Sequence, residues 1–116
     1  MINAAVWTPT TTGPSSYAVE DLGTFGRDES AAEDINDAGF VIGYARNNAT
    51  AIDDAFFWQN GVVTPLLGVA GYATDPVALN NLTNSDVVLV VGASSNTVTG
   101  QRIGLRWAVT LTQIMP

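Results

Sequence analysis

The sequence predicts an all-β fold built from short antiparallel strands in meander order. Short β-branched and aromatic stretches recur about every ten residues, separated by clusters of Gly, Pro, Asn, Asp and Ser. No long segment carries the 3.6-residue apolar period of a helix. Trp7, Trp58 and Trp107 lie 51 and 49 residues apart, which indicates repeated units. An antiparallel sandwich or jelly roll would share this strand pattern and is the alternative fold.

Ten segments are predicted as strands because each is rich in β-branched or aromatic residues and is bounded by turn residues. In chain order they are 4–7, 16–22, 31–36, 40–46, 54–59, 62–67, 76–81, 86–94, 102–109 and 111–115. The stretch "TPTTTGPSS" between the first two strands is predicted as a loop.

Two of the turns carry hairpin signals. "NDAG" (36–39) and "QNG" (59–61) place Asn, Asp and Gly where a hairpin needs positive φ. The strands that flank each of these turns should therefore pair with each other. The apolar strand 86–94 has little in its interior to discourage pairing, so we expect it to be buried on both faces or covered by a partner.

Other matches support repetition at a similar spacing. Gly43 and Gly92 each close an apolar run and lie 49 residues apart. "LGTFG" at 22–26 recurs as "LGVAG" at 67–71 with an offset of 45, and "IN" at 35–36 returns as "LN" with an offset of 44. Four matches in the same order favour duplication of a unit of about 50 residues, the size of a four-stranded propeller blade.

The repeat divides one domain into three units. We expect a partial unit over 1–21 and full units over 22–66 and 67–116, with about five extra residues at 81–85 in the last unit. A chain of 116 residues can bury one core but is short for a closed propeller. Exposed blade faces would then remain at both ends, so we expect a homo-oligomer that associates head-to-tail.

Composition removes several classes of function. Eleven acidic residues face four basic ones, all Arg, for a net charge of -7, which makes nucleic acid an improbable partner. The absence of His and Cys removes imidazole bases, thiol nucleophiles, disulfides and the usual zinc ligands. No apolar run approaches the length of a membrane span. We therefore expect no enzyme activity, no cofactor and no metal centre.

The start of the chain, "MINAAVWTPT", has neither the basic region nor the long apolar region of a secretory signal. Three interpretations stay open: export by another route, a mature region behind an added Met, or retention in the host cell.

The order of motifs in the middle of the chain matches a known repeat. That repeat has an L-G-x-x-G step, I-N-D-A-G, an apolar run closed by Gly, an aromatic motif ending in W-x-N-G, and a return to the L-G step. The corresponding residues are Leu22, Gly23, Gly26, Ile35, Asn36, Asp37, Ala38, Gly39, Gly43, Ala55, Phe56, Trp58, Asn60, Gly61, Leu67, Gly68 and Gly71. In this order the segment resembles the HAF repeat of bacterial extracellular repeat proteins.

This resemblance implies an extracellular or cell-surface, propeller-like β repeat, and it brings no enzymatic activity with it. The chain departs from the pattern at three points. Asp54 stands in place of the name-giving His, "LNNLTNSD" replaces I-N-D-A-G in the second unit, and the second aromatic motif is reduced to "GLRWAV".

Trp7, Trp58 and Trp107 are the candidate ligand-binding residues. An aromatic ring can stack on the apolar face of a sugar, so one Trp per unit could form a repeated carbohydrate platform. The competing interpretation, which we favour, is that each Trp is a packing anchor that buries about 150–250 Å² between neighbouring blades.

The acidic residues give weaker signals. Asp53 and Asp54 are adjacent, so on a strand they point to opposite faces and cannot form an acid/base pair; we expect both on a solvated surface. Glu33, Asp34 and Asp37 lie near a turn with Asn36, but they lack the spacing of a calcium loop. We expect Asn36 and Asp37 to be turn formers.

Two other groups are expected at the surface. Ser30 in "GRDES" (26–30) has no His or Lys to activate it, and this segment should be an exposed loop. Arg102 and Arg106 alternate with Gly104 along one strand face, where they could pair with an acidic face of another copy; an unpaired, solvated face is the interpretation that we favour.

The favoured function is therefore a non-enzymatic structural or adhesive subunit that self-associates into a ring or filament. A lectin-like module that binds glycans through its Trp residues is the first alternative, and a virion surface or decoration protein is the second. An enzyme such as a glycosidase is the third and least favoured interpretation, because it would need two carboxylates held about 5–10 Å apart across a cleft.

Overall fold

The fold is all-β, as the sequence predicts. The computed structural model describes residues 3–9, 17–47, 49, 52–81 and 86–111, and within them it contains nine strands and no helix. The strands are β1 (Ala4–Pro9), β2 (Tyr17–Gly23), β3 (Glu29–Ile35), β4 (Val41–Asn47), β5 (Ile52–Gln59), β6 (Val62–Leu66), β7 (Ala73–Leu79), β8 (Val87–Ser95) and β9 (Arg102–Thr110). Nine of the predicted strands are thus confirmed, while the tenth, at 111–115, lies outside the described residues except for Leu111.

The strands form three antiparallel sheets, each a meander of strands consecutive in the sequence. The first sheet is β1–β2, the second is β3–β4–β5–β6 and the third is β7–β8–β9. Both predicted hairpins are present, since β3 pairs with β4 and β5 pairs with β6. The expected boundary between residues 21 and 22 falls inside β2, whereas the boundary at 66/67 coincides with the end of β6.

The hairpin turns use the predicted residues in two ways. Asn60 and Gly61 have φ values of 48° and 86°, and Gly39 has 83°, so all three adopt the left-handed region. Asn36 instead shapes its turn with its side chain, whose Oδ1 accepts the backbone N–H groups of Ala38 at 3.1 Å and Phe40 at 3.0 Å.

The second and third sheets share their strand register. Val41 lies opposite Trp58 in the second sheet, and Val90 lies opposite Trp107 in the third. Each of these residues is 49 positions from its counterpart. A β-bulge also interrupts the first pair of strands in each sheet, between Ala32 and Asp34 in β3 and between Pro76 and Ala78 in β7.

A glycine stands beside each bulge because the partner backbone comes too close for a side chain. A Cβ atom at Gly43 would overlap the carbonyl oxygen of Ala31, and one at Gly92 would overlap the carbonyl oxygen of Asp75. The two bulges therefore impose the same requirement on β4 and β8.

Two apolar clusters lie between successive sheets. The one between the first and second sheets, here the first core, consists of Ala4, Leu22, Val41, Phe56 and Trp58, with Val6 and Phe25 packed against it. The one between the second and third sheets, here the second core, consists of Phe40, Ile42, Ala55, Phe57, Leu66, Val88 and Val90. Full burial of one such large side chain stabilises the fold by about 1.5–3 kcal/mol, so face-to-face packing of the sheets holds the chain together.

The strand predicted at 86–94 is buried on one face within the described residues: Val88 and Val90 are buried, but Leu89 and Val91 are 37% and 47% exposed, so cover by a partner stays a prediction for the second face. One other expectation is wrong. Residues 26–30 are not all an exposed loop, because Glu29 and Ser30 begin β3 and Ser30 is buried. Its hydroxyl accepts the N–H of Ala4 at 2.7 Å and donates to the carbonyl oxygen of Gly23, which explains the burial.

Candidate functional site

The three tryptophans occupy different environments. Trp58, on β5, is 7% exposed and belongs to the first core, where it packs with Ala4 and Leu22 of the first sheet. Its indole faces are covered by protein. Trp58 is therefore placed as a packing anchor between neighbouring sheets and does not offer an open stacking surface.

Trp107 faces the second sheet in the same manner. It is partly buried against the second core, and its indole N–H donates to the carbonyl oxygen of Leu67 at 2.8 Å. Leu67 directly follows the last strand of the second sheet. Trp107 thus joins two sheets through both its ring and its N–H group.

Trp7 is the exposed member of the set, with 64% of its surface accessible. Ala4 and Val6 on the same strand pack on the first core, so alternation along β1 places Ala5 and Trp7 on the opposite face. Among the three tryptophans, only this one belongs to neither of the two cores.

A groove of about 360 Å³ runs beside Trp7. Its walls are Ala5, Val6 and Trp7 on β1, Ala32, Glu33, Asp34 and Ile35 on β3, and Val41 on β4. Within the described residues β1 pairs only with β2, so the groove follows the other edge of β1. The groove thus brings an exposed indole and the acidic residue Glu33 into one lining, which combines a stacking surface with hydrogen-bond acceptors, the chemistry that a sugar ring requires.

One acid at the groove is already engaged. Asp34 accepts the backbone N–H of Ile35 at 2.9 Å through Oδ1 and that of Leu79 at 3.2 Å through Oδ2. It therefore ties the second sheet to the third. Glu33 is the bulge residue of β3 and is exposed, so its carboxylate faces solvent.

A second polar centre lies between the second and third sheets. Arg46 donates to both carboxylate oxygens of Asp53, at 2.6 and 3.2 Å, from the adjacent strand, and lies 4.0 Å from Glu29. Asp53 is only 5% exposed, so the expectation that it lies on a solvated surface is wrong. The two-point bond raises the pKa of Arg46 and compensates for the burial of Asp53.

Asp75 adds to this centre a carboxyl group whose ionised form is destabilised. Burial, followed by the neighbouring Asp53 carboxyl and by the charge of Glu33, raises the pKa of Asp75 to about 7, and Arg46 opposes the shift. Its Oδ1 atom is buried without a hydrogen-bond partner. Near neutral pH Asp75 is thus close to half protonated, and its ionised form is the unfavourable one.

The remaining predicted residues lie apart from both centres. Asp54 is exposed and pairs with Arg27 at 2.9 Å, on the face opposite to Asp53, as the alternation of the strand predicts. Asn36 and Asp37 lie in the turn, which the Asn36 side chain shapes. No group of three or more acidic side chains suited to a metal ion occurs among residues 3–9, 17–47, 49, 52–81 and 86–111.

The Arg46–Asp53–Asp75 centre was missed by sequence reasoning. Arg46 and Asp53 lie seven residues apart, near the facing ends of two consecutive predicted strands, so their pairing across the β4–β5 hairpin could have been found from the register. The approach of Asp75 could not, because it depends on how the third sheet packs on the second.

Comparison with known proteins gives no guide to the activity. A scan against family models, a search of curated proteins and a search of solved structures found no match to this chain. In the part of the chain that the structure describes, no helix is long and apolar enough to cross a membrane.

Proposed function

We propose that this chain is a non-enzymatic, structural or adhesive β-repeat module that self-associates head-to-tail into a ring or filament. The observation that carries the proposal is that both internal sheet interfaces are built in the same way. Trp58 packs on the first sheet, Trp107 packs on the second, and the two occupy the same register position opposite Val41 and Val90.

The matched bulges and close-approach glycines favour a duplicated unit, because one local geometry and its one tolerated residue type recur 49 positions apart. The four strands of the second sheet have the size and meander order of a propeller blade. The resemblance to the HAF repeat supports an extracellular or cell-surface location in a bacterium.

Units of this type stack through their faces, and an uncovered apolar face at each end favours association with further units. The test is the solution mass, measured by size-exclusion chromatography with light scattering at micromolar protein. The proposal expects a species heavier than the 12.2 kDa of one chain. A monodisperse monomer over the whole concentration range would refute it.

A lectin-like module is the second candidate, and the groove beside Trp7 is the observation that favours it. The exposed indole and the Glu33 carboxylate could hold one sugar ring, while the buried Trp58 takes no part. The proposed glycan site is therefore single, instead of one site per unit.

Titration with neutral and acidic oligosaccharides, followed by Trp fluorescence, tests this candidate. A glycan that binds in the groove should quench the emission of the wild type, and Trp7→Ala should abolish the response without unfolding the chain. Glu33→Gln should weaken binding while leaving the stacking surface intact. Quenching that persists in Trp7→Ala would exclude the groove as the site.

A further inference from the structure

The third sheet presents an open apolar face on the side away from the second sheet. Val88 and Val90 pack into the second core, so their neighbours Leu89 and Val91 point the other way. Arg106 lies opposite Val91 across the β8–β9 ladder and shares its face. All three side chains are exposed in the part of the chain that the structure describes.

The second sheet shows what covers the same positions when another sheet follows. Ile42 lies opposite Phe57 in the β4–β5 ladder, and each is 49 residues before its counterpart in the pair Val91 and Arg106. Ile42 and Phe57 are 0% and 1% exposed, because Val88 and Val90 of the third sheet lie on them. The same pair of ladder positions is therefore buried in the second sheet and exposed in the third.

The first sheet offers a complementary surface. Trp7 and Ala5 lie on the face of β1 opposite to the residues that pack on the first core, and Trp7 has the spacing of a sheet tryptophan that packs on a preceding sheet. Trp58 and Trp107 both make that contact within the chain. Trp7 does not make it with any described residue.

We infer that Trp7 of one copy docks on the open face of the third sheet of a second copy, against Leu89, Val91 and Arg106. The inference rests on the proposed self-association and specifies its two surfaces. The contact repeats the packing of the third sheet on the second, except that a charged residue replaces one apolar residue of the internal interface. Where the internal interface has Phe57, the open face has the guanidinium of Arg106, which stacks favourably on an indole ring.

This substitution also explains how the open face tolerates water. An arginine can hydrate when it is uncovered and can lie flat on Trp7 when a second copy arrives. A phenylalanine at the same position could pack on Trp7 but could not be hydrated when it is uncovered. The face is therefore suited to a reversible contact, in contrast to the permanent second core.

Sedimentation velocity on the full chain tests these surfaces through two variants. Trp7→Ala removes the docking residue, and Val91→Asp puts a carboxylate on the open face. Each should weaken association by about thirtyfold or more, the loss typical of a central interface residue. Val98→Asp is the matched control: it makes the same substitution at an exposed valine in the β8–β9 turn and should leave association unchanged.

Mixing the two variants gives the decisive result. Trp7→Ala keeps an intact open face and Val91→Asp keeps an intact Trp7, so an equimolar mixture should form a 1:1 heterodimer that cannot grow further. Far-ultraviolet circular dichroism shows that both variants are folded. Association of either variant alone at wild-type strength, or no complex in the mixture, overturns the inference while the proposed function stands. A wild type that stays monomeric refutes both.

Discussion

The close approach of the β7 backbone to Gly92 leads to a quantitative prediction about the free energy of unfolding. A Cβ atom at this position would overlap the carbonyl oxygen of Asp75 and would lie 2.7 Å from Cα of Pro76. Both neighbours are backbone atoms, so no side-chain rotation can relieve the contact, and β7 must move away from β8. In Gly92→Ala this movement disturbs the β7–β8 ladder, in which the core residue Val90 lies opposite Leu79.

The expected cost follows from two opposing effects. Overpacking in a well-packed region typically costs about 1–3 kcal/mol, and a rigid backbone neighbour puts Gly92→Ala at the upper end. Replacing Gly by Ala restores about 0.4–1 kcal/mol by restricting the unfolded chain. The net loss in the free energy of unfolding should be about 2–2.6 kcal/mol, which lowers the melting temperature of a domain of this size by about 8–10 °C.

Urea unfolding followed by Trp fluorescence measures this loss, at one fixed protein concentration because association adds stability. Gly104→Ala is the matched control in the adjacent strand, since nothing lies within 4 Å of its added Cβ. Gly43→Ala, beside the equivalent bulge, should lose as much as Gly92→Ala. A Gly92→Ala variant within about 0.5 kcal/mol of Gly104→Ala would refute the close approach and the matching of the two sheets.

Three other changes have defined outcomes. Because the pKa of Asp75 is raised from 3.8 to about 7 in the folded chain, its contribution to stability is fully present below pH 4 and is lost as pH rises through 7. Asp75→Asn should therefore stabilise the chain at pH 8 by about 1–2 kcal/mol, discounted because the side chain is only half buried, and have no effect at pH 3.5, as urea unfolding at the two pH values measures. Trp58→Ala should cost about 3–5 kcal/mol in urea unfolding, or prevent folding, while Trp7→Ala should leave the melting temperature of the dilute monomer unchanged. Ser30→Ala should cost about 1–3 kcal/mol, since it leaves the buried N–H of Ala4 without a partner, and amide exchange at Ala4 should accelerate.

The strands could be predicted from the sequence because their signals are local. Alternating β-branched residues and Asn-Gly turns specify the hairpins directly, and β5 and β6 begin and end within two residues of the prediction. Strand β7 was predicted to begin at Pro76 but begins at Ala73. Pro76 lies beside the bulge, where a residue without an N–H group fits the interrupted ladder, so it does not mark the start of the strand.

The candidate site was less predictable because it depends on packing between sheets. The spacing of the tryptophans indicates equivalent positions, but only the structure shows that Trp58 is covered and Trp7 is open. The burial of Asp53 was also missed, since a carboxylate on a strand is ordinarily at the surface and the two-point bond from Arg46 that offsets its desolvation is not visible in the sequence pattern.

Negative-stain electron microscopy of the native particle at micromolar protein reveals whether chains assemble through equivalent sheet faces. We expect closed rings or filaments in which chains repeat head-to-tail, and their loss in Val91→Asp but not in Val98→Asp. Fields that contain only isolated single chains, or particles with two identical faces in contact, would contradict it.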